Sequence, residues 1–190
     1  MSDAPLAPTV LFTPAEVDAV VARLAGELSR RYDDGVVLTA VLRGSVMFLA
    51  DLVREMTIHP DIDFLAITPY APGTGRVRLL KDLDLDIGGR DVVIVEDIVD
   101  TGLTSAFLRA ELERRSPRSV AVCTLIDRPA RRVVPVDLEF VGARIPDEFV
   151  IGFGLDHEGR YRNLNLLASG DLSVLREDPD AYVAAVYHSD

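Results

Sequence analysis

The chain has 190 residues, 48% of them hydrophobic and 27% charged, with a formal net charge of −11. That balance predicts one globular domain over residues 1–190, large enough to bury a real core, and excludes a disordered chain. So negative a molecule has no general attraction for nucleic acid or an anionic membrane, and an anionic substrate must be held by local donors, helix ends or metal ions.

Residues 1–12 are proline-rich and read as loose. They carry no basic or apolar leader pattern, and no apolar run reaches the ~18 residues of a membrane span, so the expected location is cytoplasmic. Thr13-Pro14-Ala15-Glu16 reads as a helix start: threonine as cap, proline at the first helical position, glutamate three residues after the cap. Val17, Val20, Val21, Leu24 and Leu28 follow at helical spacing. A strand is predicted over 36–41, a tight turn at Leu42-Arg43-Gly44-Ser45 and a helix over 46–56. Further strands are expected over 63–70 and 77–80, joined by the glycine- and proline-rich stretch 71–75.

Residues 91–97 give the clearest strand. Val92-Val93-Ile94-Val95 does not alternate, which indicates burial on both faces, as in a parallel sheet. A helix over 104–115 and a buried strand over 119–126 follow, then short strands at 138–141 and 149–154. Cys123, the only cysteine, lies within the second buried strand and reads as a packed, inert thiol. Alternating strands and helices predict an α/β fold with an open, mostly parallel sheet flanked by helices. From residue 168 to 190 a C-terminal extension is expected to be helical, because Asp178-Pro179-Asp180 precedes Ala181, Tyr182, Val183, Ala184 and Val186.

The functional signal is concentrated after the strand at 91–97. Glu96-Asp97 stands at its carboxyl end, and Asp100-Thr101-Gly102-Leu103-Thr104 leads into a helix. Ligands of open α/β sheets bind beyond the carboxyl ends of the strands. A helix N-terminus offers amide donors and a favourable dipole to a phosphate, Gly102 allows close backbone approach, and the threonine hydroxyls add donors. The acidic pair suits a sugar diol. By itself an acidic pair at a strand end is ordinarily a solvated loop, and an aspartate or threonine before a helix is ordinarily a cap. In this order, after a buried strand, they point to a phosphorylated ribose.

Val92 to Thr104 resembles the phosphoribosyl pyrophosphate motif of type I phosphoribosyltransferases, and more narrowly that of the hypoxanthine-guanine phosphoribosyltransferases. Leu42-Arg43-Gly44-Ser45, Leu80-Lys81-Asp82-Leu83-Asp84 and Ile145-Pro146-Asp147-Glu148-Phe149-Val150 agree with it, so the resemblance spans roughly residues 12–167. It implies the type I phosphoribosyltransferase fold with a small hood region. It also implies magnesium-dependent transfer of a phosphoribosyl group to hypoxanthine or guanine, giving IMP or GMP and pyrophosphate, in a homo-oligomer (dimer or tetramer).

By resemblance, Glu96 and Asp97 hold the ribose hydroxyls, Asp100 is the acid–base group at purine N7, and Thr101, Gly102, Leu103 and Thr104 cradle the 5′-phosphate. Arg43, Gly44 and Arg162 serve the pyrophosphate. The peptide bond before Arg43 can be cis in the family; without the neighbouring motif, Arg43-Gly44 reads as an ordinary turn. Phe149 and Val150 form the purine pocket, and Asp156, by itself a solvated loop acid, is the magnesium ligand. The lid is the stretch 69–78 with Tyr70. It is shorter than many, and Pro69 stands where the family has serine, removing a hydroxyl and an N–H. Arg128 falls at the family's purine-reading lysine; it either contacts the base with a planar fork or points to solvent. Xanthine or another purine therefore remains open as acceptor, and a non-catalytic nucleotide-binding regulator is the rival reading, disfavoured by the acidic composition and by Asp100. Kinase P-loop and dinucleotide-binding glycine motifs are absent.

Overall fold

The computed structural model describes residues 6–68 and 78–187. The chain forms two compact units, one of residues 20–147 and one made of residues up to Ala19 with those from Glu148 onward.

The larger unit is built on strands β2 (Val37–Leu42), β3 (Asp61–Ile67), β4 (Leu79–Lys81), β5 (Asp91–Val99), β6 (Ser119–Asp127) and β7 (Phe140–Arg144), which lie in the order β4-β3-β2-β5-β6-β7. All neighbours are parallel except β3 and β4. The unbroken apolar run of β5 is buried on both faces, with Val92, Val93, Ile94 and Val95 each 0% exposed, as its lack of alternation predicted. Helix α2 (Val46–Glu55) crosses from β2 to β3 and buries Phe48, Leu49 and Leu52. Helix α3 (Leu103–Glu113) crosses from β5 to β6 and buries Leu108 and Leu112, one turn apart. A fully buried leucine of this kind contributes about 1.5–3 kcal/mol. The chain moves outward in one direction from β2 and in the other from β5, so these adjacent strands form the topological switch point of the sheet.

Helix α1 (Pro14–Arg31) begins with the capping box read from the sequence: Thr13 N–H donates to Glu16 Oε2 at 2.8 Å and Glu16 N–H to Thr13 Oγ1 at 3.4 Å. Strand boundaries moved: 63–70 is Asp61–Ile67, and 138–141 is Phe140–Arg144. The candidate lid, with Pro69 and Tyr70, lies outside the described residues apart from Arg78. The arms flanking it pair antiparallel, and Thr68 N–H donates to the Arg78 carbonyl at 2.9 Å.

The smaller unit holds a three-stranded antiparallel sheet of β1 (Thr9–Phe12), β9 (Leu167–Gly170) and β8 (Phe149–Ile151), in that order. This corrects two expectations. The N-terminal stretch, read as loose, supplies an edge strand because Thr9-Val10-Leu11-Phe12 finds a partner in β9. The C-terminal extension is not purely helical, since Ala168 to Gly170 lie in the central strand of that sheet. The helix expected after Asp178 is short, starting only at Val183, and a further short helix that was not expected lies before Asp178. Helix α4 (Leu172–Glu177) is capped by Asp171, which accepts from Ser173 N–H at 2.8 Å, and α5 spans Val183–Tyr187. No described helix is long and apolar enough to cross a membrane.

Candidate active site

At the carboxyl ends of β2 and β5 the larger unit opens a cleft of about 310 Å³, lined by Val41, Leu42, Gly44, Ile67, Glu96, Asp97, Ile98 and Thr104. The sequence places polar groups here because Glu96-Asp97 follow the buried valines of β5, just past its last pairing with β2, and Arg43-Gly44 follow β2. The Leu42–Arg43 peptide is cis, as the resemblance implied. Gly44 packs so closely on Asp97 that a Cβ there would overlap the carboxylate. Asp97 also accepts from Ile98 N–H at 2.8 Å. Glu96 is 5% exposed. Burial first, and then the charge of Asp97, push its carboxyl well above the usual range.

Residues 100–104 form the turn into α3. Gly102 is left-handed at φ +82° and stands at the N-cap, a position where a side chain is strained. The loop is gripped from behind: the Thr101 carbonyl accepts from Val133 and Val134 N–H at 2.9 and 3.1 Å. Thr101 Oγ1 accepts from Leu103 N–H at 3.3 Å. The first-turn amides of α3 have no acceptor within their own helix and aim outward from its start.

Arg128 does not point to solvent. Its side chain is 8% exposed and lies on Asp100 with two bonds, Nη2 to Oδ2 at 2.8 Å and Nε to Oδ1 at 3.3 Å. Behind this pair sits Asp127, 4% exposed, which accepts from Arg132 and, at 3.2 Å, from Arg144. Arg132 Nε also donates to the Asp100 carbonyl at 2.9 Å. Sequence reasoning gave Asp127, Arg132 and Arg144 no role; the signal was the arginine-rich run directly after β6. Asp63 was likewise missed. Burial would raise its carboxyl, but the Leu85, Phe64 and Asp84 amides and the Lys81 charge hold it below the usual range. Asp63 thereby anchors the Leu80–Asp84 stretch beside β3. Cys123 is fully buried, and burial pushes its thiol far up, in keeping with an inert packing role.

In the smaller unit, Phe149 is half-buried and meets His157 edge to face, with ring centroids 5.7 Å apart. Val150 beside it is buried. On the loop after β8, Asp156 Oδ1 pairs with Arg162 Nη2 at 2.6 Å, and its Oδ2 accepts from Gly159 N–H at 2.7 Å. Arg162 Nη1 donates to the Gly154 carbonyl at 2.6 Å. Thus Asp156 and Arg162 are adjacent, as are Phe149 and Val150. In the larger unit, Glu96, Asp97, Gly44 and Thr104 share one cleft, and Arg43 is exposed beside it. Among the described residues no group of three or more histidine, cysteine or acidic side chains is placed to hold a metal.

Residues 13–158 match the family model of the phosphoribosyl transferase domain. The chain is 48% identical over 161 residues to the hypoxanthine phosphoribosyltransferase of Escherichia coli K12, covering 82% of this chain and 90% of that protein. It is 42% identical over 179 residues to the hypoxanthine-guanine phosphoribosyltransferase of Mycobacterium avium, covering 89% and 88%. A crystal structure of a hypoxanthine-guanine phosphoribosyltransferase from Bacillus anthracis superposes with a TM-score of 0.80 at 41% identity, covering 84% of this chain and 95% of that one. With this breadth of match, and with the strand–acid pair–glycine turn–helix arrangement at the switch point, the chain belongs to the phosphoribosyl transferase family.

Proposed function

We propose that this chain is a purine-salvage phosphoribosyltransferase that moves the phosphoribosyl group of phosphoribosyl pyrophosphate to hypoxanthine or guanine, forming IMP or GMP and pyrophosphate. The observation that carries the reading is the end of β5. There the buried Glu96, the half-buried Asp97 and a glycine turn at a helix N-terminus stand together at the switch point of a parallel sheet.

In this reading the amides and hydroxyls of Thr101, Gly102, Leu103 and Thr104 bind the 5′-phosphate, while Glu96 and Asp97 accept from the ribose hydroxyls. Asp100 exchanges the proton at purine N7 as the base nitrogen attacks C1 of the ribose. Arg128, gripping Asp100, belongs to the same purine end. Phe149 stacks on the base and the Val150 backbone meets its edge, while Arg43, Gly44 and Arg162 serve the pyrophosphate and Tyr70 the lid. The positive charge that develops on the ribose is met by the local carboxylate of Asp97.

Magnesium is the cofactor we propose. The fit rests on Asp156: a hard-oxygen carboxylate suits an ion that takes one or two protein carboxylates and fills its remaining positions with substrate oxygens and water, and the ion would take the place of the Arg162 contact on it. When bound, the ion would neutralise the pyrophosphate leaving group. We place the enzyme in the cytoplasm as a homo-oligomer, and take residues 1–190 as one catalytic domain.

The test is a panel assay of purified protein with magnesium, phosphoribosyl pyrophosphate and individual purines and pyrimidines. Nucleotide formation from hypoxanthine or guanine supports the reading. Turnover only with xanthine or another purine would reassign the acceptor, and no turnover with any base would favour a nucleotide-binding regulator.

A further inference from the structure

Between β8 and β9 the chain runs through a loop whose backbone is unfavourable on its own. Phe153, Glu158 and Tyr161 have φ of +46°, +50° and +71°, and Gly152, Gly154 and Gly159 are also left-handed. Each non-glycine residue in that region is strained, so such a loop persists only when packing over-determines it. Its own short hydrogen bonds, Gly159 to Asp156 and Arg162 to Gly154, tie it together. They do not fix it to a core.

Phe153 and Leu155 of the loop are buried, and the segment after β9 holds residues 157–163. Tyr161 is 1% exposed, and its hydroxyl donates to the Pro179 carbonyl at 2.7 Å and accepts from Tyr182 N–H at 3.4 Å. Arg160 forks onto Asp180, His157 Nε2 meets the Leu175 carbonyl at 3.0 Å, and Tyr187 donates to Asn163 at 2.6 Å. Ile151, Tyr161, Leu175 and Tyr182 share one buried cluster. The loop thus turns residues 157, 160, 161 and 163 to the C-terminal segment, while Asp156 and Arg162 pair with each other. The segment lies beyond the residues matched by the family model, which ends at 158.

We propose that residues 171–187 are a positioning element for the Asp156–Arg162 loop and set the affinity for the magnesium-bound pyrophosphate end of the substrate. The proposal rests on the roles given above to Asp156 and Arg162. Tyr161 is its central positioning residue: it touches no substrate and acts through the loop.

The experiment compares the full-length protein with the double variant Tyr161→Phe/Asp180→Asn. These changes remove the hydroxyl hub and weaken the arginine fork while keeping both side-chain shapes. The dissociation constant of magnesium pyrophosphate, measured by calorimetry, is expected to rise about fivefold, as the loop spends more time open. The KM for the purine is expected to stay within about twofold. Hydrogen exchange at Gly159 and Leu164 should accelerate while β5 amides stay protected. If β5 exchange also rises, the single variant Tyr161→Phe is measured in the same way. Faster loop exchange with unchanged pyrophosphate affinity would overturn the proposal, leaving the segment as a stabiliser only, and unchanged exchange would overturn it too. A wild-type protein that transfers to no base would count against the proposed enzyme, whereas the calorimetric comparison would still decide this proposal.

Discussion

Gly102→Ala should damage the protein by an amount that the structure allows to be worked out. Gly102 has φ +82°, where an L-residue costs about 1 kcal/mol. An alanine Cβ would also stand 2.7 Å from the Val134 carbonyl oxygen and 2.9 Å from Arg132 Cδ. The Val134 backbone cannot yield easily, because Val133 and Val134 both donate to the Thr101 carbonyl, in the very turn being mutated. Overpacking of this sort costs about 1–3 kcal/mol, so the total is about 2–4 kcal/mol. Gly89→Ala is the control: its φ is +70°, but no atom lies within 4 Å of the added Cβ, so only the ~1 kcal/mol backbone cost applies. Urea unfolding of the two variants measures the difference. The displaced 101–104 turn should also lower kcat/KM for phosphoribosyl pyrophosphate at least tenfold, with Gly89→Ala unaffected. Equal stability losses in the two variants would refute the close approach of residues 132–134 to the turn.

Glu96→Gln should stabilise the protein and the gain should grow with pH. The folded state raises the Glu96 carboxyl through burial and the Asp97 charge. From the ordinary carboxyl range upward, the unfolded chain therefore binds fewer protons at this site than the folded one, and wild-type stability falls as pH rises toward the folded value. Thermal melts of both proteins at pH 4.5 and 8 check this, a constant gap contradicting it; the same variant should bind phosphoribosyl pyrophosphate less well. Asp100→Asn should lose most turnover while keeping phosphoribosyl pyrophosphate affinity, and a wild-type rate would remove Asp100 from the chemistry. Arg128→Lys replaces a two-bond fork by a point charge. Turnover is expected to fall about three- to tenfold with a changed hypoxanthine-to-guanine rate ratio, and an unchanged ratio in a base panel would separate Arg128 from base reading.

The parts of the fold that carry the turn at 100–104 were legible because their signals are local. The unbroken apolar run of β5, the glycine two residues after Asp100 and the helical spacing of Leu108 and Leu112 each constrain a few adjacent residues. The capping box at Thr13 and Glu16 is legible for the same reason. The smaller unit was much less so. Its strands have three or four residues, too short for a period to show, and β1 and β9 come from opposite ends of the chain. The Arg128–Asp100 pair and the Asp127 cluster depend on β6 lying beside β5 in register, Asp127 opposite Val99, which no local pattern reveals. Asp171, a good cap two residues before Ser173, was a readable helix start that went unread.

The account turns on where a nucleotide monophosphate sits. In a crystal of the protein with IMP, the 5′-phosphate oxygens should lie within hydrogen-bonding distance of the backbone amides of residues 102–104, with the ribose hydroxyls against the carboxylates of Glu96 and Asp97. An active protein that instead holds the phosphate away from the start of α3 would contradict the assignment.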